Sequence, residues 1–242
     1  MTKRAALPML FSLFFLLIFS QPLSAAPEAL ADLAEDFIPV TEDFDGAHMM
    51  VFGALTSAKS DIVVVFEGPP AKALIRAKVK KLGIWVNDEP QLIEPVPSFY
   101  AVLSSRPLTD MMKPEALTLR GLGLNSLPLD SVAGQGLLKN RLAKGLYLEM
   151  PDGVKIRDKK LFRADINLPP NVPVGAYKAT IYEIKNGVIT ASRVTTFKIA
   201  PIGLASMIRN LSVRQPALYA ALAIALVLLI GGFAATLFRK AT

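Results

Sequence analysis

Residues 217–238 read ALYAALAIALVLLIGGFAATLF, a run of 22 residues without a charge. As a helix rising 1.5 Å per residue it is about 33 Å long, enough to cross the roughly 30 Å hydrocarbon core of a bilayer. Such a segment must satisfy its own backbone, so it is read as a transmembrane helix. Tyr219 and Phe238 suit the two interfaces, and Arg239 and Lys240 form a basic stop in a short tail, 239–242. Arg209 and Arg214 lie on the opposite flank, so charge alone does not orient the span. The start of the chain does. Lys3 and Arg4 precede a short apolar run at 7–19, followed by Ser24-Ala25-Ala26. That order is an export signal, and its apolar run, about 20 Å as a helix, is too short to span. The expectation is a cleaved signal peptide at 1–26, cut after Ala26 or Ala31, the bulk of the chain in the periplasm, and a cytoplasmic tail below a single inner-membrane span.

No cysteine occurs anywhere, which removes disulfides, thiolate metal sites and cysteine nucleophiles together. The formal charge of +7 includes Lys3, Arg4, Arg239 and Lys240; without them the outer part carries about +3. No nucleic-acid role follows from that balance.

Residues 28–45 hold seven acids and no base. The stretch 27–46 is read as an acidic, partly flexible lead-in to a domain over 47–200, and residues 47–52 as its first firm strand. The run Asp61-Ile62-Val63-Val64-Val65-Phe66 is a central buried strand. Ile75, Ala77 and Val79 alternate with Arg76, Lys78 and Lys80, a strand with one basic face. The only tryptophan, Trp85, sits in a strand pattern and reads as a core anchor, and residues 99–103 read as another strand. Over about 107–150 the pattern turns helical. Asp130 can cap a helix to about Lys144, with Gly145 as its terminator. Strands return at 154–156 and 161–166. Asn186-Gly187 between two strand-forming runs predicts a type I′ hairpin, led in by the corner LPPNVPVG at 168–175. A proline-rich corner, a Gly-x-Tyr strand start and a terminal hairpin point to a mainly β, immunoglobulin-like sandwich with a helical insertion. Residues 201–216 form a juxtamembrane segment, amphipathic through Leu204, Ile208 and Leu211.

Taken together, DIVVVFEGP at 61–69, GIWVN at 83–87, PSFYAVLSSRPL at 97–108, LFRADINLPPNVPVGAYKATIY at 161–182 and the terminal span ending FRK resemble the alphaproteobacterial putative transmembrane protein family. The resemblance covers most of the chain. It implies a periplasmic domain on one C-terminal inner-membrane anchor, and anion exporters of the sulfite-exporter type as a partner class. It implies no catalytic or binding residues.

Catalytic patterns are missing. His48 is the sole candidate base, and no Gly-x-Ser-x-Gly elbow is present. The glycines at 121, 123, 134 and 136 lack the preceding strand and following lysine of a phosphate loop. Zinc would find one histidine and no thiol, and calcium only the first fragment of its loop at Asp43-Phe44-Asp45-Gly46. Cuprous copper suits imidazole with thioethers, and His48, Met50, Met111 and Met112 supply that set. In a strand His48 and Met50 share one face while Met49 takes the other.

The expected function is therefore non-enzymatic and without a cofactor: an accessory or interaction protein for a membrane complex or transporter. It would contact inner-membrane lipid and a polytopic membrane protein through its transmembrane helix. Ala217, Ala221 and Ala225, then Gly231 and Ala235, repeat small residues every four positions and permit close helix approach. Two alternatives stand beside this one, a copper-binding module and a small-molecule or lipid-binding module with a cavity near Trp85 and Tyr100.

Overall fold

A computed structural model of the chain describes residues 28–76, 78–81, 83–87 and 89–240. The expected export signal at 1–26 lies outside them. In chain order the strands are β1 (Leu30–Leu33), β2 (Phe37–Val40), β3 (Ala47–Ala54), β4 (Asp61–Glu67), β5 (Pro70–Ile75), β6 (Lys78–Lys81), β7 (Ile84–Asn87), β8 (Gln91–Pro97) and β9 (Tyr100–Ser104). Helices α1 (Leu108–Met111), α2 (Pro114–Arg120) and α3 (Val132–Ala143) follow, then β10 (Tyr147–Met150), β11 (Val154–Arg157), β12 (Leu161–Leu168), β13 (Gly175–Lys185) and β14 (Val188–Pro201). Helices α4 (Leu204–Arg214) and α5 (Pro216–Lys240) end the described chain. The protein is mainly β with a C-terminal apolar helix.

Two sheets enclose the core. One has four strands in the order β1-β3-β12-β11, and the other six in the order β10-β9-β4-β13-β14-β2. Period-two burial explains the first: Met49 and Val51 of β3, and Phe162, Ala164 and Ile166 of β12, are buried, while their neighbours face out. The centre of the second sheet breaks that alternation. Ile62 through Phe66 of β4 and all of β9 are buried, because the sandwich covers one face and the helical insertion the other. Leu108, Met111, Leu117 and Leu137 of the insertion belong to the same apolar cluster.

The acidic lead-in proves to be structured from residue 28 onward, which corrects the expectation of a flexible start. Ala31, Leu33 and Ile38 are buried, and the acids occupy the exposed phase or the joint between strands. β1 pairs antiparallel with β3, and then the chain changes sheets so that β2 runs parallel to β14. The exchange is held by Ala34 N–H donating to Met50 O and Lys198 N–H donating to Asp36 O, both at 2.9 Å.

The stripe expected to be one strand across 75–79 is two. β5 pairs with β8 and β6 with β7, so 70–97 makes two successive antiparallel ribbons, broken between Ile75 and Lys78. Leu74 and Ile84 stand exposed on them. Trp85 belongs to β7, but its side chain is outside the described residues. The helical insertion ends earlier than residue 150: Ser131, not Asp130, caps α3, its hydroxyl accepting from Gly134 N–H at 3.0 Å. The chain then returns as β10, parallel to β9, an arrangement that requires a long crossover and explains why helices interrupt the β pattern here.

The predicted hairpin is present. Asn186 and Gly187 take φ of 52° and 81°, both positive as a type I′ turn demands. At the opposite end of β13 the hydroxyl of Tyr177 donates to Pro173 O at 2.5 Å and locks the proline corner. The Tyr177 ring lies 5.0 Å from Phe197 and 6.0 Å from Phe99, so the corner is fastened to the core. After β14 come α4 and then α5, which begins at Pro216 as a helix first turn permits. Its segment Pro216–Ala234 has a mean hydropathy of 2.4 and none of it is buried against the rest of the protein.

Candidate functional site

The register of the four-stranded sheet builds a second surface, on the face away from the core. Leu30, Ala54, Leu161 and Arg157 fall in one row across the four strands, and Asp32, Phe52, Arg163 and Lys155 in the next row on that face. Leu30, Phe52 and Leu161 are 70%, 44% and 57% exposed, although alternation assigns this face to polar side chains. Together they floor a groove of about 630 Å³ whose rim carries Lys155, Arg157, Arg163 and Arg193. Two of the four cations are engaged. Arg163 donates from Nε and Nη2 to the Asp165 carboxylate at 2.8–3.0 Å, and Arg193 Nη1 lies 2.6 Å from Glu28 Oε1. Lys155 and Arg157 have neither an ion pair nor a hydrogen bond to a side chain among the described residues.

The candidate copper ligands are not assembled. His48 and Met50 do share the outward face of β3, as alternation predicts. His48 is exposed, with Nε2 3.2 Å from Asp165 Oδ1. Met111 and Met112 are buried in the core beneath the insertion. Their segment borders Asn186 and Gly187, and Ile184 is paired with Asp61, just after the β3–β4 loop. His48 is six residues from the far end of β3, about 20 Å away along a strand, so the pairs lie at opposite ends of the sandwich. Among the described residues no group of three or more histidine or carboxylate side chains could hold a metal.

The buried polar side chains hold the fold. Glu183 is fully buried beside a bulge in the β13–β14 pairing. Its carboxylate accepts from Thr56 N–H at 3.0 Å, Thr56 Oγ1 at 2.7 Å and Ser57 N–H at 3.0 Å, closing the loop between β3 and β4. Burial acts to raise this carboxyl, but the hydrogen bonds from Thr56 and Ser57 outweigh it and leave it below its ordinary value. Hydrogen bonds from Arg163 hold Asp165 low, with His48 adding to the effect. Burial pushes the Tyr147 phenol up to about 12 and keeps its hydroxyl protonated as donor to Pro97 O at 2.7 Å. Tyr100 is likewise raised by burial and donates to Gly121 O at 2.9 Å. Around Tyr100, then, there is packed core; the groove lies on the other sheet. No serine or threonine hydroxyl is hydrogen-bonded to His48 among the described residues.

A family model described as "Putative transmembrane protein", alphaproteobacterial by name, matches residues 28–240. The chain belongs to that family. It is a membrane protein with one candidate C-terminal span. This family member carries every residue of the groove inside the matched region. No curated protein and no solved structure matches it. Sequence reading of the family member missed the groove, because its apolar residues come singly from β1, β3 and β12. The available signal was apolar residues in the outward phase of three strands, Leu30, Phe52 and Leu161.

Proposed function

We propose that this protein is a non-enzymatic accessory module: an immunoglobulin-like sandwich held in the periplasm by one inner-membrane helix and serving a polytopic membrane protein or transporter. The strand order supports the sandwich assignment. The first strand is divided between the sheets and its second half runs parallel to the last strand, and Tyr177 forms a corner with Pro173 at the start of β13. The basic N-terminus, the apolar run and Ser24-Ala25-Ala26 support export, and Arg239-Lys240 a cytoplasmic end. The observation that carries the accessory role is the anchor itself. None of Pro216–Ala234 is buried in the folded body, and it repeats small residues at Ala217, Ala221 and Ala225, which suit a second helix more than lipid alone. Crosslinking and pull-down of the full chain from native membranes tests this. A reproducible polytopic partner, lost when the span is replaced by polyleucine, is expected. A span replaceable by polyleucine with no change in the recovered proteins would overturn the proposal.

A further inference from the structure

We propose that the outward face of the four-stranded sheet binds a single-chain anionic amphiphile, with an alkyl chain laid along Leu30, Phe52 and Leu161 and an acidic head held by Lys155 and Arg157. Exposed apolar residues are ordinary when scattered, but here three large ones converge on one concavity. The volume of about 630 Å³ falls among small-molecule sites. Its polarity is laid out in one direction. The row runs Leu30, Ala54, Leu161, Arg157 across four strands, a distance of about 14 Å from tail end to cation. That is the reach of a medium-length alkyl chain. At the far edge Lys155 and Arg157 are two residues apart on β11 and project to the same side, so they bracket one anionic head. Among the residues that line the groove the acid is Asp32, on β1 at the opposite edge, where it disfavours the reverse orientation, while Asp165 on the same face is held by Arg163.

Size and charge exclude the other occupants. Twelve residues line the groove, against about 20–30 a side in a stable protein interface. A second copy docked face to face with like strands opposed would set lysine and arginine against lysine and arginine. The chain's own acidic stretch is already committed, since residues 28–40 form β1 and β2 and the strap between them.

The inference rests on the reading that the domain binds rather than catalyses, and the test separates the two. The full chain is placed in phosphatidylcholine nanodiscs and labelled with a twelve-carbon photoreactive fatty acid, and the labelled peptides are mapped by mass spectrometry. Label is expected on β3 and β12 around Phe52 and Leu161. Excess laurate or dodecyl phosphate should displace it, and the stronger competitor identifies whether the natural head is a free carboxylate or a lipid phosphate. Dodecanol and butyrate should not. Lys155→Glu with Arg157→Glu is expected to reduce labelling about tenfold, an effect that weakens with added salt. Phe52→Ser should reduce it without that salt dependence, and Lys155→Gln with Arg157→Gln serves if the reversal misfolds. Label confined to α4 and α5, or equal displacement by dodecanol, or labelling unchanged in the charge variants, would each sink the assignment. Recovery of the membrane partner in those same variants shows that the accessory role stands whichever way the labelling falls.

Discussion

Removing the Glu183 carboxylate should release the loop between β3 and β4 and destabilise the whole sandwich. The side chain is fully buried and accepts three hydrogen bonds, two of them from the backbone amides of Thr56 and Ser57. In Glu183→Ala both amides lose their acceptor, and an unsatisfied buried donor costs roughly 1–3 kcal/mol. The expected loss is about 3–5 kcal/mol, a large fraction of the stability of an ordinary domain. Glu183→Gln keeps the shape and one acceptor oxygen but turns an NH2 toward a donor, for about 2 kcal/mol. The measurement is denaturant unfolding of the full chain in nanodiscs, with hydrogen exchange read at Thr56 and Ser57. The sign of the pH dependence follows from the lowered carboxyl. The unfolded chain takes up this proton at higher pH than the folded one, so the stabilisation is complete above the ordinary value of 4.5 and is lost as pH falls through the folded value. The advantage of wild type over Glu183→Gln should therefore hold above the ordinary value of 4.5 and shrink as pH falls below it through the folded value. A loss below about 1 kcal/mol in Glu183→Ala, with both amides still protected, would refute the reasoning.

Tyr177→Phe deletes the hydrogen bond to Pro173 O while keeping the ring contacts, and should cost about 1–2 kcal/mol in the same unfolding assay. Gly53→Ala places a methyl 2.3 Å from Leu30 O and 2.6 Å from the Phe162 ring, and a loss of about 1–3 kcal/mol with faster exchange across β1 is expected. Met111→Ala, a core truncation in this structure, should cost about 2–5 kcal/mol. Cuprous ion, by contrast, should give no thermal shift that His48→Ala abolishes, because His48 and Met111 lie at opposite ends of the sandwich.

The parts of the fold that were legible in the sequence are those decided by neighbours along the chain. The uncharged run before Arg239, the Asn186-Gly187 turn and the buried run of β4 each carry their own local signature, and each is found in place. β1 and β2 do not. LADL and FIPV are four-residue strands whose pairing is fixed by β3 and by β14, more than 150 residues away in the second case, and the acids between them mimic a flexible leader. The ribbon from 70 to 97 was misread for a related reason: alternation continues through Arg76, and only the partner strands reveal the break. The copper set failed on distance, which spacing along the chain does not encode. The groove was hidden because its floor and its cations meet only through the register of four strands.

The last strand has one more consequence. β14 leads through α4 to the anchor, and it is an interior strand, flanked by β13 on one side and β2 on the other. Any pull from the membrane therefore acts along a strand laced on both edges, so that its hydrogen bonds share the load in shear and do not open one after another. Had the anchor continued from a strand at the margin of the sheet, a single ladder would carry the same load. The domain is built as a fixture on its tether, able to transmit a displacement of the membrane helix to the sandwich without coming undone.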